Sequence, residues 1–458
     1  MSRARGEGCS CGRAAPARSC CLCGPAVLLA LWALLAAGCS RSSGSGEPAP
    51  SNPPAISAVN PLAGEPGTPV AIAGRDFETR PQRNLVFFGT VQAPVREATA
   101  ERLVVEVPAG VRADAQVQLS VTTRGGTAEG PLFTAHAPAG APEITEIRTE
   151  AGERTIVAFP GQRLVLAGSG FAAVPEQNEV TIGLVPVNVL AATAGALTVE
   201  LPAAAESGAV AVRAAGVPSV ATAGEPPTLF VAGGAASSFD RGGVGKAGAE
   251  LLGAWPRTHL LVEIDVQQDG SSADWSPSAE ALAKLGTRLG ERLFKPGGIT
   301  ILQPSTFAAS DRSWTEDEVR ATAFAQRNLH SRGNTAVLHL LVLAGEFAPN
   351  EAVIGLTFAS THIALFEERL RDASSPLTLE TAEAATLVHE AGHVLGLVNL
   401  TAGMCVPHED PDSRGHDIER DCVMHREISV RRVPLGGGPT DAFDPNCRCD
   451  LAQAGGRP

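Results

Sequence analysis

The segment Val388-His389-Glu390-Ala391-Gly392-His393 sets two imidazoles and a carboxylate in the order that a hydrolytic metal site needs. Residues four apart share one face of a helix, so His389 and His393 can bind one ion while Glu390 reaches a water held on it. Zinc lowers the pKa of its bound water to about 7 and polarises a carbonyl; a neighbouring glutamate takes up the proton and returns it to the leaving amine. Thr378 and Thr381 offer caps for a helix that runs through both histidines, and Leu387, Val388, Ala391, Val394 and Leu395 make the rest of it apolar. Such a helix is expected to be buried, and burying charge without a partner is costly. Gly396 can then carry the chain out of the helix in a left-handed turn back toward the metal.

With that glycine, His389 to Gly396 resembles the metzincin signature of zinc peptidases, whose third ligand usually stands three positions later. Asn399 occupies that place here and is a poor zinc ligand; His408 and His416 follow. His416 to Met424 resembles the archaemetzincin run of a ligand His, a Cys, four residues and Cys-x-Met, with Asp417 in place of the first Cys. The resemblance implies one catalytic zinc on His389, His393 and His416, with His408 as the alternative third ligand. It also implies Glu390 as general base, Met424 as the Met-turn, and an insertion from Leu397 to Gly415. The chain has no Tyr to follow that Met, and His425 stands there instead. It is read either as a donor to the oxyanion or as a solvent-facing loop histidine.

Five of the ten Cys precede Cys39, and Cys405, Cys422, Cys447 and Cys449 all follow the motif helix. In an exported protein this even set favours two disulfides. Archaemetzincins hold a second, structural zinc on four Cys, and resemblance to them offers that as the alternative.

Export itself is expected from the amino terminus. Arg3, Arg5, Arg13 and Arg18 precede the apolar run Ala26 to Leu35, which is short for a membrane span and fits a signal h-region. Leu35-Ala36-Ala37-Gly38-Cys39 resembles a bacterial lipobox, implying residues 1–38 as a lipoprotein signal, lipidation at Cys39, and membrane attachment through a flexible tether at 39–52. An ordinary signal or an uncleaved anchor is the other reading. Losing four Arg and one Glu with that segment takes the formal net charge from −13 to −16, which disfavours nucleic acid as a partner.

Before the catalytic motif, short β-prone runs bounded by Gly and Pro predict antiparallel sandwiches. Ile72-Ala73-Gly74-Arg75-Asp76-Phe77 and Leu166-Ala167-Gly168-Ser169-Gly170-Phe171 hold matching places in two copies, at 53–138 and 140–232, that resemble the immunoglobulin-like IPT/TIG module. They are read as spacers or binding modules. Gly-rich residues 233–256 read as a linker. From 257 to 458, strands at Leu260–Val266, Ile299–Leu302 and Ala336–Leu343 alternate with helices at Ser276–Phe294 and Trp314–Leu329. His259, His339 and His362, in or beside strands, are expected to be structural. Ile354–Phe358 and His362–Phe366 can supply an edge strand for an extended peptide. The expected architecture is multidomain: two all-β immunoglobulin-like sandwiches, then an α+β metzincin-like zinc peptidase domain. The whole reads as an envelope-anchored endopeptidase of the bacterial outer membrane acting on peptide or protein, or else as an inactive adhesion or scaffolding lipoprotein.

Overall fold

The computed structural model describes residues 52–222, 224–374, 378–426 and 441–457. The expected signal at 1–38, Cys39 and nearly all of the tether lie outside them. No helix among the described residues is long and apolar enough to cross a membrane.

Residues 55–135 form a β-sandwich of a four-stranded and a five-stranded sheet. Alternating side chains fill the space between them, with Val70, Ile72, Phe88, Leu103, Leu119 and Phe133 at its centre. A second sandwich follows around Leu164, Leu166, Ile182, Leu197 and Val212. The two repeat one another in detail. Asn84 Nδ2 donates to the carbonyls of Glu78 and Arg80, and Asn178 Nδ2 donates in the same way to Ala172 and Val174. A Cβ on Gly74 or on Gly168 would lie 2.0 Å from the carbonyl oxygen of Ala55 or of Glu143, so each glycine permits its neighbouring strand to cross. The sandwiches join through backbone hydrogen bonds from Gly110 to Ser219 and, in both directions, between the 111–113 segment and Ala221.

The remaining chain builds a six-stranded sheet from β1 (His259–Gln268), β2 (Ile299–Ile301), β3 (Ser305–Ala308), β4 (Thr335–Leu343), β5 (Gly355–Ala359) and β6 (His362–Phe366). β1 lies parallel to β2, β3 and β4, and β4 lies parallel to β6. Only β5 is antiparallel, pairing with β6 at the sheet edge. Helices α1 (Ala279–Arg292) and α3 (Leu379–Val394) cover one face, where Leu260, Val262, Leu338 and Leu340 meet Leu387, Val388 and Ala391. α2 (Glu316–Gln326) lies beyond Trp314 toward the other face, and α4 (Pro445–Gln453) follows near the carboxy terminus.

Two expectations are corrected here. α1 starts after Ser278 and not after Ser276, because the Ser278 hydroxyl accepts the Ala281 N–H while it is also bonded to buried Glu383 on α3. Residues 233–256 are no free linker: they form two short helices, at Ser238–Arg241 and Gly248–Leu252. Leu251 and Leu252 enter the core, and buried Asp240 accepts from the buried Arg327 guanidinium at 2.9 Å. Glycine richness serves close packing at Gly248, where a Cβ would meet the Leu395 carbonyl oxygen at 2.4 Å.

Candidate metal centre

α3 begins at Thr378, whose hydroxyl accepts the Thr381 N–H, and it is buried along most of its length. His389 and His393 leave it on one face, with Nε2 to Nε2 3.1 Å apart. The chain exits through Gly396, which has φ 90°, and Thr401 packs where a Cβ would stand. The insertion then brings His416 back, its ring centroid 5.3 Å from His389 and 5.2 Å from His393. One nitrogen from each of the three imidazoles lies within 4.8 Å of the others.

Their protonation favours metal binding. His389 Nδ1 donates to the Val423 carbonyl at 2.7 Å, so its Nε2 presents a lone pair to His393. Burial keeps all three neutral: His389 is pushed down to about 4, His393 falls well below the ordinary value, and His416 is lowered. Three neutral imidazoles with converging nitrogens fit the ligand set of a zinc ion.

Glu390 is buried beside them, and that burial pushes its carboxyl up to about 7. Thr357 Oγ1, on β5, lies 2.7 Å from Glu390 Oε2. Beneath the histidines, Met424 is fully buried against the helix, and a Cβ on Gly392 would meet its Sδ at 2.3 Å. His425 is half-buried next to this turn, its N–H donating to the Cys422 carbonyl.

Asn399, with φ 65°, donates to Glu409 Oε2 at 3.0 Å, and Glu409 Oε1 accepts the Gly415 N–H, so this pair braces the insertion. His408, the alternative ligand, stands apart from the three imidazoles. Both of its nitrogens are taken, one by Asp417 at 2.8 Å and the other by Asp450 at 2.7 Å. Burial opposes its charge, but the bonds to Asp450 and Asp417 outweigh burial and raise its pKa.

In place of two disulfides the described residues hold one, Cys405–Cys449, with Cα atoms 6.1 Å apart. It ties the insertion to α4. Cys422 and Cys447 are buried thiols with sulfurs 3.6 Å apart, and together with Asp417 and Asp444 they form a second group of converging metal-ligand atoms. The Met424 and Asp444 N–H groups both point at Cys422 Sγ. Asp444 escaped the sequence reading because it also caps α4; the spacing Asp444-x-x-Cys447 was its signal. Thr357, Gly355 and Gly392 carry no local signal at all. His259, His339 and His362 are buried within the domain, His339 bonded to Asp265 and His362 near Arg327.

The family model of the IPT/TIG domain matches residues 54–135. No curated protein matches the chain. Among solved structures, the extracellular region of plexin A4 is similar at 13% identity, covering 41% of this chain and 19% of that one with a TM-score of 0.19. SGBP-B from a complex xyloglucan utilization locus in Bacteroides uniformis aligns at 19% identity over 42% of this chain and 52% of its own, with a TM-score of 0.15. The chain thus spans less than two thirds of either structure. Its first sandwich, residues 54–135, is an IPT/TIG domain of immunoglobulin-like fold.

Proposed function

We propose that the domain carrying α3 is a zinc-dependent endopeptidase, exported and held on the bacterial envelope by a lipid at Cys39. The observation that carries the reading is the convergence of His389, His393 and His416 beside the buried carboxylate of Glu390. Zinc bound there would polarise the scissile carbonyl and acidify a water. Glu390 would be the base that takes the proton of the attacking water as the C–O bond forms and gives it to the amide nitrogen as the C–N bond breaks. His425, which follows Met424 in the sequence, would be the donor to the developing oxyanion. β5 ends the sheet and can pair with an extended peptide, aligning it along α3. Asp417, Cys422, Asp444 and Cys447 would hold a second, structural zinc in place of the four Cys of the archaemetzincin pattern. The second sandwich is read as another IPT/TIG-like module.

An inactive adhesion or scaffolding lipoprotein is the rival reading. Asn399 favours it, since it is engaged with Glu409 where the common third ligand would stand. The two separate on the purified exported chain by its metal content and by cleavage of a peptide library. The peptidase reading expects at least one zinc per chain and cleavage that Glu390→Gln abolishes while zinc stays bound. Cleavage retained by Glu390→Gln removes the mechanism.

A further inference from the structure

β5 does more than form the sheet edge: it touches the carboxylate of Glu390 on both sides. Thr357 Oγ1 lies 2.7 Å from Glu390 Oε2 and 2.9 Å from the Glu390 carbonyl oxygen. A hydroxyl has one proton to donate, and that carbonyl is already served by the hydrogen-bond ladder of the helix, so the proton goes to the carboxylate. On the other side stands Gly355. A Cβ there would fall 2.7 Å from Oε1 and 2.9 Å from Cγ of Glu390, so only a bare Cα leaves the carboxylate its place.

We propose that Thr357 is a positioning residue for Glu390: its hydroxyl fixes Oε2 and, with Gly355 packed against Oε1, sets the rotamer from which the carboxylate acts as base. This rests on the peptidase reading. A glutamate side chain has three rotatable bonds, and a general base must sit within hydrogen-bond reach of the proton it takes. Without the hydroxyl, only packing selects the rotamer. Because β5 also ends the sheet on that side, a peptide that pairs there binds to the element that holds the base.

The test compares Thr357→Val, which keeps the shape and loses the donor, with Thr357→Ser, which keeps the donor, using the full exported chain. Steady-state cleavage of a quenched peptide should show kcat falling about 10- to 100-fold in Thr357→Val, the range that a misplaced catalytic group costs. KM and bound zinc should stay within about twofold, and Thr357→Ser should recover most of the rate. A second readout needs neither turnover nor metal: crystal structures of the metal-free proteins should show one Glu390 rotamer in the wild type and in Thr357→Ser, and more than one in Thr357→Val. A wild-type kcat together with a single rotamer in Thr357→Val overturns the proposal. Should Thr357→Val fail to fold, Thr357→Ala against Thr357→Ser decides, since both lose the methyl and only one loses the hydroxyl; equal rates and equal rotamers overturn it. If the wild type itself cleaves nothing, the peptidase reading fails, and the rotamers still decide whether Thr357 pins the carboxylate.

Discussion

His389 Nδ1 and the Val423 carbonyl are joined by a 2.7 Å hydrogen bond, so the helix with two of the imidazoles is locked to the turn that carries Met424. The turn fits because Gly392 lacks a side chain at the point where Met424 Sδ packs. Alanine is the better helix former by about 1 kcal/mol, yet its Cβ would lie 2.3 Å from that sulfur. Gly392→Ala should therefore be destabilising, by about 1–3 kcal/mol. A drop in denaturant midpoint together with weaker zinc binding is the expected result; a midpoint above wild type would contradict the packing.

The two late histidines should separate into different phenotypes. His416→Ala should lower zinc affinity at least ~10-fold, a loss no smaller than that from removing a partner behind a ligand, while the protein stays folded. His408→Ala leaves Asp417 and Asp450 buried without their shared partner and should lose about 3–5 kcal/mol of stability. Competition with a chromophoric chelator and chemical unfolding, run on both variants, read the two effects separately.

The contribution of Glu367 to stability should fall as pH rises through neutrality. Burial, with Glu383 beside it, pushes Glu367 up to about 8, against an ordinary 4.5. The native protein therefore keeps a proton that the unfolded chain has released, and the stability present below about pH 4.5 drains away toward pH 8. Burial shifts Glu263 in the same direction, up to about 7. Glu367→Gln should flatten part of this slope and raise the unfolding midpoint at pH 8, with little change at pH 4.5; urea melts across that range check it. An unchanged slope would mean that Glu367 is solvated in the native protein.

Lipidation is tested apart from the fold. Cells fed an alkyne fatty acid should label the wild-type protein and leave Cys39→Ala unlabelled. Absence of label from the wild type would assign the apolar run before it to an ordinary signal or anchor.

What the sequence made legible is what depends on spacing along the chain. The i, i+4 histidines and the Gly396 turn are local geometry and stand in the structure as read, and of the two caps the sequence offered Thr378 is the one used. The repeated sandwiches were legible because Gly74 and Gly168 answer one steric demand twice. Contacts across the fold were not. Thr357 meets Glu390 only because β5 returns to the face of α3, and no periodicity records that. His408 was ambiguous because an imidazole reads alike as ligand or as cation until Asp417 and Asp450 are seen on either side. The cysteines were counted correctly but paired only by the structure, which joins Cys405 to Cys449 and leaves Cys422 and Cys447 as thiols. The 233–256 segment misled because glycine serves close packing as readily as flexibility.

That segment decides where the chain can be cut for study. Truncation at 257 would take Asp240 from the Arg327 guanidinium and leave a cation buried without its counter-ion. It would also strip Leu251 and Leu252 from the core. A cut at 233 keeps both but severs Asn334 from Ser207, whose backbone it grips in both directions at 3.0 and 2.8 Å. The second sandwich is thus a bracket for the sheet that carries the candidate metal site, and the smallest fragment worth expressing includes it.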